Sequence, residues 1–312
     1  AIMQPTFPLQ PFEKWQYLEM AKESIKNAAA KAEHVVISHY HYDHFTIGED
    51  ASVLYKNKTL WIKDPNRWIN MSQWDRSREF LKWLAKLEGR RLQYTRPKQT
   101  NFVDPIEDIP IARSKNYGNY QDRREELLKK WQKRFFKMRE HWTKSPWVDE
   151  TLGGIHFADG ASFQAGDTKI RFSRPLFHGI EYANTGWVIS TIIEHGDDKL
   201  IHTSDLQGPT IEDYAKWIID ENPNILIADG PATYLLGYML NTTNLNRSIE
   251  NAVRIIEECD LDVMIYDHHL LRDPLYKQRT SKIWDCAEDM GVMVTTAAEY
   301  NGIEPVVLNA SV

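Results

Sequence analysis

From Trp187 onward the chain alternates short apolar runs with amphipathic helical ones, and this alternation leaves few folds open. WVISTIIE and KLIHTSD read as a hairpin pair across HGDD. NILIAD, LDVMIYD and GVMVTT follow as strands, separated by helical stretches at Thr210–Glu221, Asn244–Glu258 and Pro274–Met290. Apolar residues recurring every three or four positions mark helix, and short apolar runs bounded by turn residues mark buried strand. Elements in this mixture pack as a layered α/β domain. Upstream, HVVIS (34–38) and LWIKD (60–64) read as strands, and GIHFADG, ASFQAG and TKIRFSR carry the Gly punctuation of a β-meander. Between Pro11 and Glu33, the positions Phe12, Trp15, Leu18, Ala21, Ile25, Ala28 and Ala32 form one apolar helix face.

At 312 residues and 42% apolar, the chain can bury a substantial core. A net charge of −6 excludes a histone-like polycation. Apolar runs such as Trp187–Ile193 fall far short of the roughly 20 residues a membrane span needs. The opening AIMQPTFPLQPF lacks the pattern of a secretory signal. Cys259 and Cys286 fall in helical segments and read as reduced thiols, so a cytoplasmic protein is expected. Charge is segregated. Residues 75–98 carry eight Lys/Arg against three Asp/Glu, residues 122–144 nine against four, and the rest is acidic. Seven of the 11 Trp lie between Trp61 and Trp147. The expectation is a single domain over 1–312 with a helical, basic, Trp-rich insertion at 65–150.

Directly after the HVVIS strand comes His39-Tyr40-His41-Tyr42-Asp43-His44. Residues two apart in an extended segment point the same way, so His39 and His41 can converge on one ion. Asp43 and His44, past the bend, can face a second. Imidazole and carboxylate suit zinc, iron and manganese, and paired metals roughly 3.5–4 Å apart are a known hydrolytic arrangement.

This HxHxDH at a strand end resembles the metallo-β-lactamase-fold hydrolase superfamily. His178 in RPLFHG, Asp205 closing GWVISTIIEHGDDKLIHTSD, and DHHLLRD at Asp267–Asp273 are similar to its later ligand motifs. With DGPATY as a further shared element, the chain most resembles an uncharacterised archaeal family of predicted metal-dependent hydrolases. The resemblance covers roughly 34–64 and 150–298 and implies an αββα sandwich with a binuclear metal site. It implies that His39, His41 and His178 bind one divalent ion. Asp43, His44 and one of His268 or His269 would bind the other, with Asp205 and a hydroxide bridging them. The spacing from His268 to Arg272 favours His268, and Asp267 or the other His would orient the ligand. Two departures touch no ligand: ahead of the HVVIS strand stand only a helix and a Pro-rich dozen residues where the superfamily has strands, and His178 lies 134 positions after His44.

Asp229 and Tyr234, after a buried strand, are candidates for proton donor and substrate contact. The alternative for Asp229 is capping a Pro-containing turn. Arg272 is a candidate fork for phosphate or carboxylate; its alternative is a salt bridge to Asp273 or Asp267. His34, His156, His195 and His202 read as structural or exposed, and His141 as solvated. The basic helices suit nucleic acid, or else form a solvated, salt-bridged face. The expected activity is hydrolysis of an ester-type bond by a metal-bridged hydroxide, first on a phosphodiester or nucleic acid, second on a lactone or thioester. Asp43, Asp205, Asp229 and Arg272 are the expected catalytic residues. The rivals are a diiron redox protein, against which the chain shows no Gly-rich flavin segment, and a non-catalytic nucleic-acid-binding module. No membrane partner is expected, and oligomeric state is open.

Overall fold

A computed structural model of the chain describes residues 2–3, 7–150 and 153–309. Its strands are β1 (His34–Ile37), β2 (Thr59–Ile62), β3 (Tyr94–Thr95), β4 (Trp147–Val148), β5 (Ile155–Phe157), β6 (Ser162–Ala165), β7 (Thr168–Phe172), β8 (Leu176–Phe177), β9 (Trp187–Val188), β10 (Thr191–His195), β11 (Asp198–His202), β12 (Ile225–Asp229), β13 (Val263–Asp267) and β14 (Met293–Thr295). Its helices are α1 (Pro11–Lys31), α2 (Ser52–Tyr55), α3 (Met71–Leu87), α4 (Pro110–Ser114), α5 (Gln121–Lys144), α6 (Glu212–Glu221), α7 (Thr242–Glu258), α8 (Tyr276–Arg279), α9 (Ser281–Met290) and α10 (Ala297–Tyr300).

Strand alternation sorts the apolar side chains to two faces and so builds four layers. A small parallel sheet runs β1-β2-β5, and a larger mixed sheet runs β14-β13-β12-β11-β10-β7-β6. Trp61 of β2 stacks on Phe163 with ring centroids 4.3 Å apart and, with Ile170, Phe172 and Ile189, fills the space between the sheets. The neighbours of Trp61 on β2, Leu60 and Ile62, point the other way, onto Leu54, Phe80 and Leu81. On the larger sheet Ile192, Ile201, Leu226 and Met264 face outward onto Ile218, Ile255 and Ile283 of α6, α7 and α9. The layers are therefore α, β, β, α, the expected sandwich. Helices α3 and α5 belong to the first layer: Trp74, Trp131 and Trp142 are buried in the same cluster as β1 and β2.

Three expectations need correction. The meander is a hairpin of β6 and β7 only, because β5 crosses to the small sheet and pairs in parallel with β2, Trp61 opposite His156. Ile155 is thereby buried. The apolar face of α1 is open: Phe12 is 70% and Trp15 54% exposed, and Lys14 is the buried residue. This helix meets the body along α2 and at its last turn, where Lys58 Nζ donates to the carbonyls of Ala29 and Ala32. The stretch Pro274–Met290 is two helices, broken at Thr280. No described helix is long and apolar enough to cross a membrane.

Candidate metal centre

Parallel strands present their carboxyl ends on one edge, and open α/β sheets place their sites there. The ends of β11, β12 and β13 carry Asp205, Asp229 and His268; the end of β1 carries His39, and β8 leads into His178. After His39 the chain turns, with the His44 N–H donating to the His41 carbonyl at 2.9 Å. Around the Asp205 Oδ2 stand four imidazole Nε2 atoms: His178 at 3.1 Å, His44 at 3.2 Å, His39 at 3.5 Å and His268 at 3.7 Å. Three ligand groups result, His39/His41/His178/Asp205, Asp43/His44/His268 and Asp205/His268/His269, each with its ligand atoms within 4.8 Å of one another.

Neighbours fix these side chains. His39 Nδ1 lies 3.1 Å from Ser38 Oγ, which accepts from Ser204 Oγ at 2.8 Å. Asp229 Oδ1 accepts the His269 backbone N–H at 3.0 Å and lies 2.9 Å from its Nδ1. Arg272 donates through Nη2 to Asp43 and through Nη1 to the Tyr234 hydroxyl, both at 3.1 Å. Its partner is thus neither Asp273, which pairs with Arg279, nor Asp267. Asp267 accepts the N–H groups of His268 and Ala297 and ties the ligand loop to α10. Gly179 (φ 75°) follows His178 and donates to the Asp205 carbonyl; a Cβ there would come within 2.6 Å of Gln207. Sequence reasoning missed Gln73. From the first turn of α3 its Oε1 accepts the Tyr40 N–H at 3.1 Å while its Nε2 donates to the Thr185 carbonyl at 2.6 Å, clamping the metal loop to the His178 loop. A polar residue beside Trp74 on a helix face bound for the core was its only sequence signal.

The other weak signals divide between this cluster and the body of the fold. Asp229 holds His269 rather than capping a turn alone, and Tyr234 is half-buried beside Arg272. His156 stacks on Trp61 at 4.6 Å and His34 packs on Phe163 at 4.7 Å, whereas His195 and His202 are exposed. His141 is not simply solvated: it is half-buried, edge-on to Trp74 at 4.7 Å.

The electrostatics of His39, His41, Asp43 and Asp205 favour cations. At His268, by contrast, burial is outweighed by Asp205, which pushes the imidazole up to about 9, a proton that an ion would displace. Burial holds His39 well below the usual imidazole value, and burial and then the His178 charge push His41 down to about 3. Neutral imidazoles offer a lone pair to a metal. Burial works to raise Asp43, but His44 and His268 outweigh it and hold the carboxyl at about 2. Asp205 is likewise held well below the carboxylate range, burial being overcome by His39 and His44. The residues fit a bound metal on one observation above all: the buried Nε2 atoms of His39, His44, His178 and His268 have no hydrogen-bond partner among the described residues. Four orphaned imidazole nitrogens aimed at one carboxylate oxygen are costly unless an ion joins them.

Solved structures that resemble this one include the metallo-β-lactamase fold protein YhfI from Bacillus subtilis, 13% identical with a TM-score of 0.33 over 86% of this chain and 76% of that one. CmlA, a diiron β-hydroxylase from Streptomyces venezuelae, is 11% identical with a TM-score of 0.36 over 84% of this chain and 43% of that one. No family model matches. Curated relatives match over almost the whole of this chain and about three quarters or more of their own length. A UPF0282 protein of Methanopyrus kandleri is 31% identical over 308 residues, 96% of this chain and 81% of that protein. Another from Saccharolobus islandicus is 32% identical over 293 residues, 94% and 74%. With that identity over nearly its whole length, the chain belongs to the UPF0282 family.

Proposed function

We propose that the chain is a metal-dependent hydrolase that holds two divalent ions, zinc, iron or manganese, and cleaves an ester-type bond, a phosphodiester by first choice. The observation that carries this reading is the set of four orphaned imidazole nitrogens within 3.7 Å of the Asp205 Oδ2. His39, His41, His178 and Asp205 would hold one ion; Asp43, His44, His268 and Asp205 the other. Such ions supply Lewis acidity and water of lowered pKa. The chain's own residues do the rest. Asp205 balances cationic charge, and Arg272 fixes Asp43 by a charge-assisted hydrogen bond. The Tyr234 oxygen accepts from Arg272, which leaves its proton to donate to a substrate oxygen. Asp229 orients His269.

The phosphodiester preference rests on α5. Lys129, Lys130, Lys133, Arg134 and Lys137 are exposed, and none pairs with a carboxylate among the described residues, whereas Arg123–Glu126 and Lys144–Glu140 pair at the helix ends. The solvated face is therefore not salt-bridged at its centre, and unpaired cations suit phosphates. Elemental analysis together with turnover of bis(p-nitrophenyl) phosphate and p-nitrophenyl acetate tests the reading. Asp205→Ala is expected to lose metal and about 10³-fold in rate. Full activity in that variant would place the chemistry elsewhere.

A further inference from the structure

A cavity of about 330 Å³ opens between the start of α3, the middle of α5 and residues 183–187. Its volume is in the range of small-ligand sites. Met71, Trp131, Met138 and Trp187 give it an apolar lining, and Arg134 and Lys137 add two cations. Trp187 is 1% exposed, yet its indole Nε1 has no hydrogen-bond partner among the described residues. A buried donor without an acceptor calls for one. Met71 and Ser72 also line the cavity, and they open a 17-residue helix, where amide N–H groups have no acceptor within the helix and favour an anion. Arg134 reaches the Asn184 side chain and Lys137 has no carboxylate partner among the described residues. The helix start and the two cations therefore ask for negative charge, the indole N–H asks for an acceptor, and the aromatic and thioether lining asks for a flat apolar body.

The cavity also shares a wall with the metal centre. Gly186 accepts the His178 N–H at 3.0 Å, and Thr185, its neighbour, is held by Gln73, which also holds Tyr40 of the metal loop. We propose that this cavity is a substrate subsite that takes a nucleotide-sized organic phosphate, the planar body against Trp131 and Met138 and the phosphate against Arg134, Lys137 and the start of α3. The assignment to substrate rests on the phosphodiester hydrolase reading above; the binding of an aromatic phosphate does not.

Calorimetric titration of the full chain with adenosine monophosphate, adenosine and inorganic phosphate tests it, in zinc-loaded and chelator-stripped protein. Adenosine monophosphate is expected to bind both forms, at least about tenfold tighter than either fragment. Arg134→Gln with Lys137→Gln, both exposed positions, should weaken it by about tenfold or more, and Met138→Trp, which fills the cavity, should block it. Binding that needs zinc places the phosphate at the metals instead and overturns the subsite. So does affinity unchanged in the double variant, adenosine binding as tightly as its phosphate, or no binding at all. His268→Ala separates the two readings: it is expected to abolish turnover and leave this titration unchanged.

Discussion

Asp229 engages the neighbouring loops with both carboxylate oxygens, Oδ1 toward His269 and Oδ2 accepting the Gln207 N–H at 3.1 Å. An amide in its place keeps the shape but turns one acceptor into a donor facing donors. Asp229→Asn is therefore expected to weaken metal binding by about 10–100-fold with an unchanged circular dichroism spectrum, read by competition with a chromogenic chelator. Wild-type affinity would show that His269 needs no such support. At this scale the sequence was legible where ligands are consecutive. His39 to His44 announce themselves because one strand end and one turn hold them all. Between His268 and His269 strand alternation was silent, since adjacent residues on an inner strand are both covered, and only the spacing to Arg272 favoured His268. In the structure His268, at φ 59°, turns toward Asp43 and Asp205 while His269 turns to Asp229. Gln73 was out of reach for another reason: its partners lie 33 and 112 residues away, and no local pattern encodes such a pairing.

Among the elements, α5, α6, α7 and the loop after His178 meet in a buried cluster of charge. Arg124 donates to Glu181 at 2.8 Å, and Arg247 bridges Glu181 and Glu212, with all four residues at most 3% exposed. Removing one member leaves an uncompensated buried charge, so Arg124→Met is expected to cost about 3–5 kcal/mol in urea unfolding. A loss under about 1 kcal/mol would show that the remaining groups rearrange to compensate. The same cluster sets an acid limb. Burial works to raise Glu212, but hydrogen bonding and charge from Arg247 outweigh it and hold the carboxyl below its ordinary value. A depressed folded value means that its stabilisation is complete above the unfolded value of about 4.3 and is lost as pH falls through the lower folded one. Thermal melts below about pH 4.3 should therefore fall less steeply in Glu212→Gln than in the parent; parallel curves would remove Glu212 from the account. Helix and strand positions were readable because period is local. The crossing of β5 and the open face of α1 were not, because which surface covers an apolar stripe is decided by the assembled layers.

Over the whole molecule, positive charge gathers on α5 and negative charge on the body. If that surface meets polyphosphate, affinity for single-stranded RNA should fall steeply between about 50 and 200 mM salt, and charge reversal at Lys129, Lys130 and Lys133 should flatten the slope. A slope unaltered by reversal would exclude α5 from the contact. A different consequence follows from where the ligands originate. His39 to His44 leave the small sheet, whereas Asp205 and His268 leave the large one, so any ion held between them is a rivet across the seam of the sandwich. Folding and loading then become one equilibrium: free metal at a hundred times its dissociation constant would add about 2.7 kcal/mol to the resistance of the fold. Chelation should lower the melting temperature and speed amide exchange in β1 and β13 together, although the two strands share no hydrogen bond. An ion that merely decorated one sheet would protect that sheet alone. For a protein of this architecture, the supply of metal would govern how long the molecule lasts as well as how fast it works.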